Sequence, residues 1–184
     1  MTHVITICGS LRKGSFNHML ANALPALAPQ GMTISAAPSW AGFPVYNADI
    51  QNSSGFPADV EALAAAIRKA DGVIVVTPEY NYSVPGGLKN AIDWVSRLKD
   101  QPFANKPVAI QSCSMGPLGG ARVQYHLRQI LVFLDALAFN KPEIFVGGAQ
   151  GKLDAEKGIT DEPTREIIKQ QLAAFDTFIA RVKG

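Results

Sequence analysis

Nine consecutive residues, Gly9-Ser10-Leu11-Arg12-Lys13-Gly14-Ser15-Phe16-Asn17, combine the features that an anion needs. The two glycines let the backbone turn tightly and approach a ligand, and the hydroxyls of Ser10 and Ser15 are hydrogen-bond donors. Arg12 offers a planar fork to phosphate, and an apolar helical pattern begins directly afterwards, so unpaired amides and the positive end of a helix dipole face the same point. A phosphate monoester carries about −1.5 to −2 charges near neutral pH and engages such donors together. Two familiar phosphate loops are excluded by reading. A P-loop needs Lys after its second glycine, where Ser15 stands, and the G-x-G-x-x-G fingerprint fails because Ser10 and Leu11 follow Gly9. The plain alternative is a serine-capped helix after a surface turn, with Arg12 in water.

A second stretch, Pro78-Glu79-Tyr80-Asn81-Tyr82-Ser83-Val84-Pro85, is stiffened by proline at both ends. Tyr80 and Tyr82 add flat surface, and Asn81 adds amide donors and an acceptor, which together suit a planar heterocycle. Beyond it, Asp93 reads as a solvated helix residue and Trp94 as core. Cys113 and His126 lie thirteen positions apart with no Asp or Asn placed to orient them, so both Cys8 and Cys113 read as packing thiols. There is no G-x-S-x-G elbow of an α/β hydrolase, and His3, His18 and His126 share no metal-ligand spacing with either cysteine.

The elements that must position these loops are legible as alternation. Short runs rich in Val and Ile at Val4 to Cys8, Val73 to Val76, Val108 to Ile110 and Ile144 to Val146 read as strands covered on both faces. Met32 to Ala36 alternates apolar with polar, as an edge strand does. Val60, Leu63, Ala64 and Ile67 form a helical stripe behind Pro57, and Ile168, Leu172, Phe175 and Ile179 form another behind Pro163. Pro85 opens a helix to about Arg97, and Gly119-Gly120 precedes a long one to about Phe139. The prediction is an α/β fold: a flavodoxin-like, open, doubly wound sheet of five parallel strands with helices on both faces. Such sheets bind ligands beyond the carboxyl ends of their strands, where the loops above fall.

The bulk numbers allow this. The chain has 184 residues, 47% hydrophobic and 17% charged, which excludes disorder and a charged helical rod and reads as one domain over 1–184. A formal charge of +2 gives no ground for nucleic-acid binding. The longest apolar run, Ile130 to Phe139, is far short of the roughly 20 residues of a membrane helix. The first residues read as a strand rather than a targeting segment, so the expected location is cytoplasmic and no membrane partner is expected.

With these motifs in view, Gly9-Ser10-x-Arg12-x-x-Ser15-x-Asn17, Pro78-Glu79-Tyr80-Asn81 and Pro85-Gly86-x-Leu88-Lys89-Asn90 resemble the NADPH-dependent FMN reductase family. The stretch from Ser112 to Arg122, followed by Tyr125-His126-Leu127-Arg128-Gln129, is most similar to its chromate and quinone reductase branch. The resemblance implies FMN as cofactor, with Ser10, Arg12, Ser15, Phe16 and Asn17 around its phosphate and ribityl chain. It implies Pro78, Glu79, Tyr80 and Asn81 along one edge of the ring, and Ser112 and Gly116 closing the other side. It further implies NADPH or NADH as electron donor and small-molecule acceptors such as quinones or chromate, with no catalytic side chain because the flavin performs the chemistry.

The segment after Gly119-Gly120 carries Leu127, Ile130, Leu131, Val132, Phe133, Leu134, Ala136 and Leu137 around most of a helix. A helix packed on its own sheet buries one face, so a homo-oligomer, dimer or tetramer, is expected through the 119–139 helix. Arg122, Tyr125 and Glu143 are candidates for polar contacts across that boundary. Two rival functions share the fold: a flavodoxin-type electron carrier, which would dock through an acidic surface this chain lacks, and a non-catalytic domain that binds a phosphate ligand.

Overall fold

The Val- and Ile-rich runs become the strands of one parallel sheet in the computed structural model, which describes residues 1–184. In chain order the elements are β1 (Thr2–Cys8), α1 (Phe16–Ala23), β2 (Met32–Ala36), α2 (Ala48–Ser54), α3 (Ala58–Lys69), β3 (Gly72–Val76) and α4 (Gly86–Ser96). Then follow β4 (Pro107–Cys113), α5 (Ala121–Phe133), β5 (Leu137–Ala138), β6 (Ile144–Val146), β7 (Leu153–Asp154), β8 (Gly158–Ile159) and α6 (Glu162–Lys183). The sheet order is β2-β1-β3-β4, and β5 and β6 share the far side of β4. From β1 the chain crosses to β2 on one side, and from β3 to β4 on the other. The connections therefore diverge between β1 and β3, the place where such sheets open a crevice.

Strict alternation along the central strands sends side chains into two cores. Ile5, Ile7, Val73, Val75, Val108 and Ile110 meet α3, α4 and α5 through Leu63, Ile67, Leu88, Leu127 and Leu131. Val4, Ile74, Val76 and Ala109 face α1, the turn after it and α6 through Leu20, Leu24, Leu172 and Phe175. Each such aliphatic or aromatic side chain contributes about 1.5–3 kcal/mol on burial. Pro85 and Pro57 sit at the helix starts the sequence assigns, and Asp161 caps α6 by accepting from the Thr164 amide at 3.0 Å. Trp94 is fully buried and donates its indole N–H to the Pro44 carbonyl at 2.8 Å.

One expectation needs correction. The helix after Gly120 ends at Phe133, six residues short of Phe139. Asp135 adopts a left-handed φ of 53°, and Leu137–Ala138 pair with Pro107 and Val108 of β4. Leu134 and Phe139 are drawn into the two cores, and ladder pairing satisfies the backbone where a longer helix would leave the start of β4 unpaired. A helix that the sequence pattern does not mark, α2, also forms within the long excursion between β2 and α3, with none of its residues buried.

The fifth sheet position is thus split. β5 pairs with the start of β4 and β6 with Gln111, Ser112 and Cys113. Between them Gln171 of α6 donates to the carbonyls of Pro142 at 2.8 Å and Ile110 at 3.4 Å, and accepts from the Gln111 side chain at 2.8 Å.

Candidate functional site

The loop leaving β1 is held open from below. Gly9 donates to Val76, and a Cβ there would lie 2.5 Å from the Thr77 hydroxyl, so only glycine lets β1 end so close to β3. Ser15 caps α1 by accepting from the Asn17 amide at 3.2 Å, and Ser10 accepts from the Arg12 amide at 3.3 Å. Each hydroxyl keeps its own hydrogen to give. The amides of Lys13, Gly14 and Phe16 have no acceptor in the chain, and the first turn of α1 holds no acidic residue. Arg12 is exposed above them, with its guanidinium bonded only to the Lys13 carbonyl at 3.3 Å. This is a cradle of converging donors with an exposed cation at its lip, and its chemistry fits a phosphate. The Phe16 ring instead packs against the core beneath α1, so that residue offers its backbone amide.

The loop leaving β3 folds as a miniature hairpin. Tyr80 and Ser83 exchange backbone hydrogen bonds at 3.0 Å each, while Asn81 and Tyr82 take φ of 48° and 67°. That double left-handed turn is usual for Asn and rare for Tyr, and α5 fixes it in place. The Glu79 carboxylate accepts from the amides of Arg122 and Val123 at 3.1 and 3.3 Å and pairs with the Arg122 guanidinium at 3.0 Å. Arg122 in turn stacks 3.8 Å from the centre of the Tyr82 ring, and His126 meets the Ser83 hydroxyl at 3.0 Å. Glu79 therefore caps α5 and leaves its backbone for a ligand, beside the exposed side chains of Tyr80 and Asn81. Arg122 and Glu143, the candidates for contacts between copies, find partners inside the chain, in Glu79 and Arg128.

The loop leaving β4 is pressed against β6. A Cβ on Gly119 would lie 2.6 Å from the Phe145 carbonyl carbon, and one on Gly147 2.4 Å from the Pro117 oxygen. A groove runs between Glu79, Gly116, Leu118 and Gly120, so the expected Gly116 does face open space. Ser112 does not. It is fully buried, donating to the Gly119 carbonyl at 2.7 Å and accepting from Gln124 at 2.8 Å, because the end of β4 is still roofed by α5. Asn17 likewise departs from its expected part. Its side-chain amide donates to the Cys113 carbonyl at 3.1 Å and its oxygen accepts from the Cys113 amide at 3.2 Å, so it ties the first loop to the third rather than facing a ligand.

Cys113 is buried, and desolvation pushes its thiol up to about 12; Cys8, beside the first loop, is also raised by burial. Neither is poised as a thiolate nucleophile. Residues that the sequence did not single out complete the surroundings. Trp40 donates to the Cys8 carbonyl at 2.9 Å and presses on Gly87, and it lines a pocket with Ser10, Leu11 and His18. A large aromatic isolated in a Pro-Ser-x-Ala-Gly stretch was the available signal.

Ser10, Arg12, Ser15 and Phe16, then Pro78 to Asn81, then Gly116 thus lie on loops from three adjacent strands, β1, β3 and β4, beside the point where the connections diverge. The model of the NADPH-dependent FMN reductase family matches residues 2–151. A quinone reductase of Escherichia coli (strain K12) is 62% identical over 181 residues, covering 98% of this chain and 96% of the relative. An NAD(P)H-dependent FMN reductase of Pseudomonas aeruginosa is 48% identical and covers 98% and 97%. Among solved structures, the flavoenzyme NAD(P)H:(acceptor) oxidoreductase FerB from Paracoccus denitrificans superposes with a TM-score of 0.88 at 32% identity, covering 98% of both chains.

Proposed function

The chain belongs to the NADPH-dependent FMN reductase family, and we propose that its three loops hold FMN for the reduction of quinones by NAD(P)H. It is an FMN-dependent NAD(P)H oxidoreductase of the quinone reductase branch. The observation that supports this placement most directly is the set of free amides at Lys13, Gly14 and Phe16 beneath Arg12. FMN held there would supply the hydride and electron chemistry between nicotinamide and quinone, so no acid, base or nucleophile is required of the protein.

The chain's own work is positional. The first loop grips the phosphate through amides, the Ser10 and Ser15 hydroxyls and Arg12. Asn17 keeps that loop at a fixed distance from the third, because its two bonds to Cys113 span the sheet end. The hairpin Tyr80–Ser83, locked onto α5, gives the ring a rigid border with an exposed aromatic at its edge. The third loop brings the unpaired amides of Met115, Gly116 and Leu118 to the opposite side, where they would offer hydrogen bonds to negative charge on a reduced ring. Exposed Leu11, Tyr80 and Met115 leave one side apolar and open for donor and acceptor to use in turn.

The breadth of acceptors extends in this reading to chromate and similar oxidised anions, with one FMN-binding domain over 1–184 acting in the cytoplasm. No helix is long and apolar enough to cross a membrane. Val132 and Phe133 are 79% and 78% exposed on the outer face of α5, which supports a homo-oligomer through that helix even though the helix is shorter than expected.

The deciding measurement is a visible spectrum of the protein reconstituted with FMN, before and after NADPH without oxygen, followed by addition of benzoquinone. Bleaching and recovery of the flavin band are expected. A band that bleaches with neither NADPH nor NADH overturns the reading. A monomer by light scattering at micromolar concentration overturns the oligomer alone.

A further inference from the structure

The inner face of α5 is apolar at Val123, Leu127 and Leu131, yet it carries one fully buried polar residue, Gln124. Burying an amide costs free energy unless it is hydrogen-bonded, and the Oε1 of this one has no partner in the chain. Its Nε2 has two: the Ile144 carbonyl at 2.7 Å and the Ser112 hydroxyl at 2.8 Å. The Ile144 oxygen fixes the orientation of the amide, because a flipped Gln124 would set two acceptors face to face. Ser112 therefore receives a hydrogen from Gln124 and must direct its own at an acceptor; the Gly119 carbonyl at 2.7 Å is the nearer, with the Gly120 carbonyl beside it at 3.2 Å. The sense of every bond in the chain Gln124 to Ser112 to Gly119 is determined.

The last link has a geometric consequence. In a trans peptide the C=O and the following N–H point in opposite directions. Drawing the Gly119 carbonyl inward to Ser112 turns the Gly120 N–H outward. Gly120 lines the groove beside Gly116 and Glu79, and its N–H has no acceptor in the chain. Both residues hold positive φ, 59° and 82°, so glycine makes the turn accessible, while the bond from Ser112 selects the peptide orientation.

We propose that Gln124 is a positioning residue which, through Ser112, aims the Gly120 amide at the ring of bound FMN and so favours the reduced cofactor. This rests on the reading that FMN lies among the three loops. An amide aimed in advance stabilises negative charge without reorganising when that charge arrives. A purely structural Gln124 would alter folding but leave the balance between the two redox states of the cofactor where it was.

The test uses Ser112→Ala, Gln124→Met and the double variant, each reconstituted with FMN. Each single change is expected to weaken binding of reduced relative to oxidised FMN about tenfold, which lowers the two-electron potential by about 30 mV. The double variant should match either single one, because both act on the same carbonyl. Unchanged potentials with FMN bound, or shifts that add in the double variant, overturn the proposal. If the variants do not fold, the wild-type complex still decides: the amide resonance of Gly120 should move on FMN binding and move further on reduction, and an unmoved Gly120 overturns it. A wild-type protein that takes up no FMN overturns the placement of the cofactor, and this proposal with it, whereas bound FMN with unmoved potentials removes only the part assigned to Gln124.

Discussion

The two ends of the same sheet are finished in opposite ways. At the amino end, charged side chains pair with exposed donors and acceptors of the backbone. The His3 amide is held by Asp71, Asp71 by Lys183, and the last carbonyls of α3, at Arg68 and Ala70, by Lys106. Arg68 itself makes a two-pronged pair with Asp100. Burial works against the Asp71 carboxylate, but the His3 amide and the Lys183 ammonium more than offset it and hold its pKa below the usual carboxylate value. At the carboxyl end, amides stay free at Lys13, Gly14, Phe16, Gly116 and Gly120. Interactions that would stabilise the apoprotein are withheld from one rim and concentrated at the other. The difference teaches that binding capacity here is unspent hydrogen-bonding potential, held in place by residues that do not themselves bind.

If so, substitutions at the two rims should separate stability from cofactor affinity, and the largest effect should come where the two meet. Gly119→Ala adds strain at positive φ, of about 1–2 kcal/mol, to a clash with Phe145 backbone that cannot move aside. It should destabilise by at least about 3 kcal/mol in urea denaturation and abolish FMN binding as well. Arg12→Ala should leave urea stability untouched but weaken FMN by about ten- to a hundredfold in a fluorescence titration, as loss of a charge-assisted bond of about 1.5–3 kcal/mol implies. Riboflavin, which lacks the phosphate, should bind both proteins alike. Equal losses for FMN and riboflavin would mean that the Arg12 loop does not hold the phosphate.

Cys113 gives the comparison a pH axis. Burial pushes its folded thiol up to about 12 from an ordinary 9.0, so the folded state holds the proton more tightly. Its stabilising contribution is complete below pH 9.0 and is lost as pH rises toward 12. Between pH 9 and 11 the wild type should lose about 2 kcal/mol more than Cys113→Ala, by denaturant melts at each pH. A smaller effect, in the opposite sense from Arg12, is expected of Lys106→Met. It should reduce stability by about 1 kcal/mol through the carbonyls it leaves at the end of α3, with FMN affinity unchanged.

Much of this architecture was legible in advance because it follows from local pattern. The central strands announce themselves as unbroken Val and Ile runs, and Pro57, Pro85 and Pro163 mark three helix starts. The end of α5 was not legible: Ile130 to Phe139 is apolar nearly throughout, with no glycine or proline to show that Asp135 would turn the chain back to β4. Within the site, the phosphate loop was readable because its donors are adjacent in sequence. The duties of Glu79, Asn17 and Ser112 were not, since each is set by a partner far along the chain: the start of α5, the Cys113 backbone, and Gln124. A motif names residue types; it does not say which way a hydroxyl or carboxylate points.

The divided fifth position of the sheet carries a different lesson. Two short strands and one glutamine side chain finish the outer border of β4, so that border offers no continuous row of peptide groups for another molecule to extend. The oligomer proposed above would thereby be steered away from strand-to-strand growth at this margin and left to helical surfaces, which allow closed, countable assemblies instead of open-ended ones.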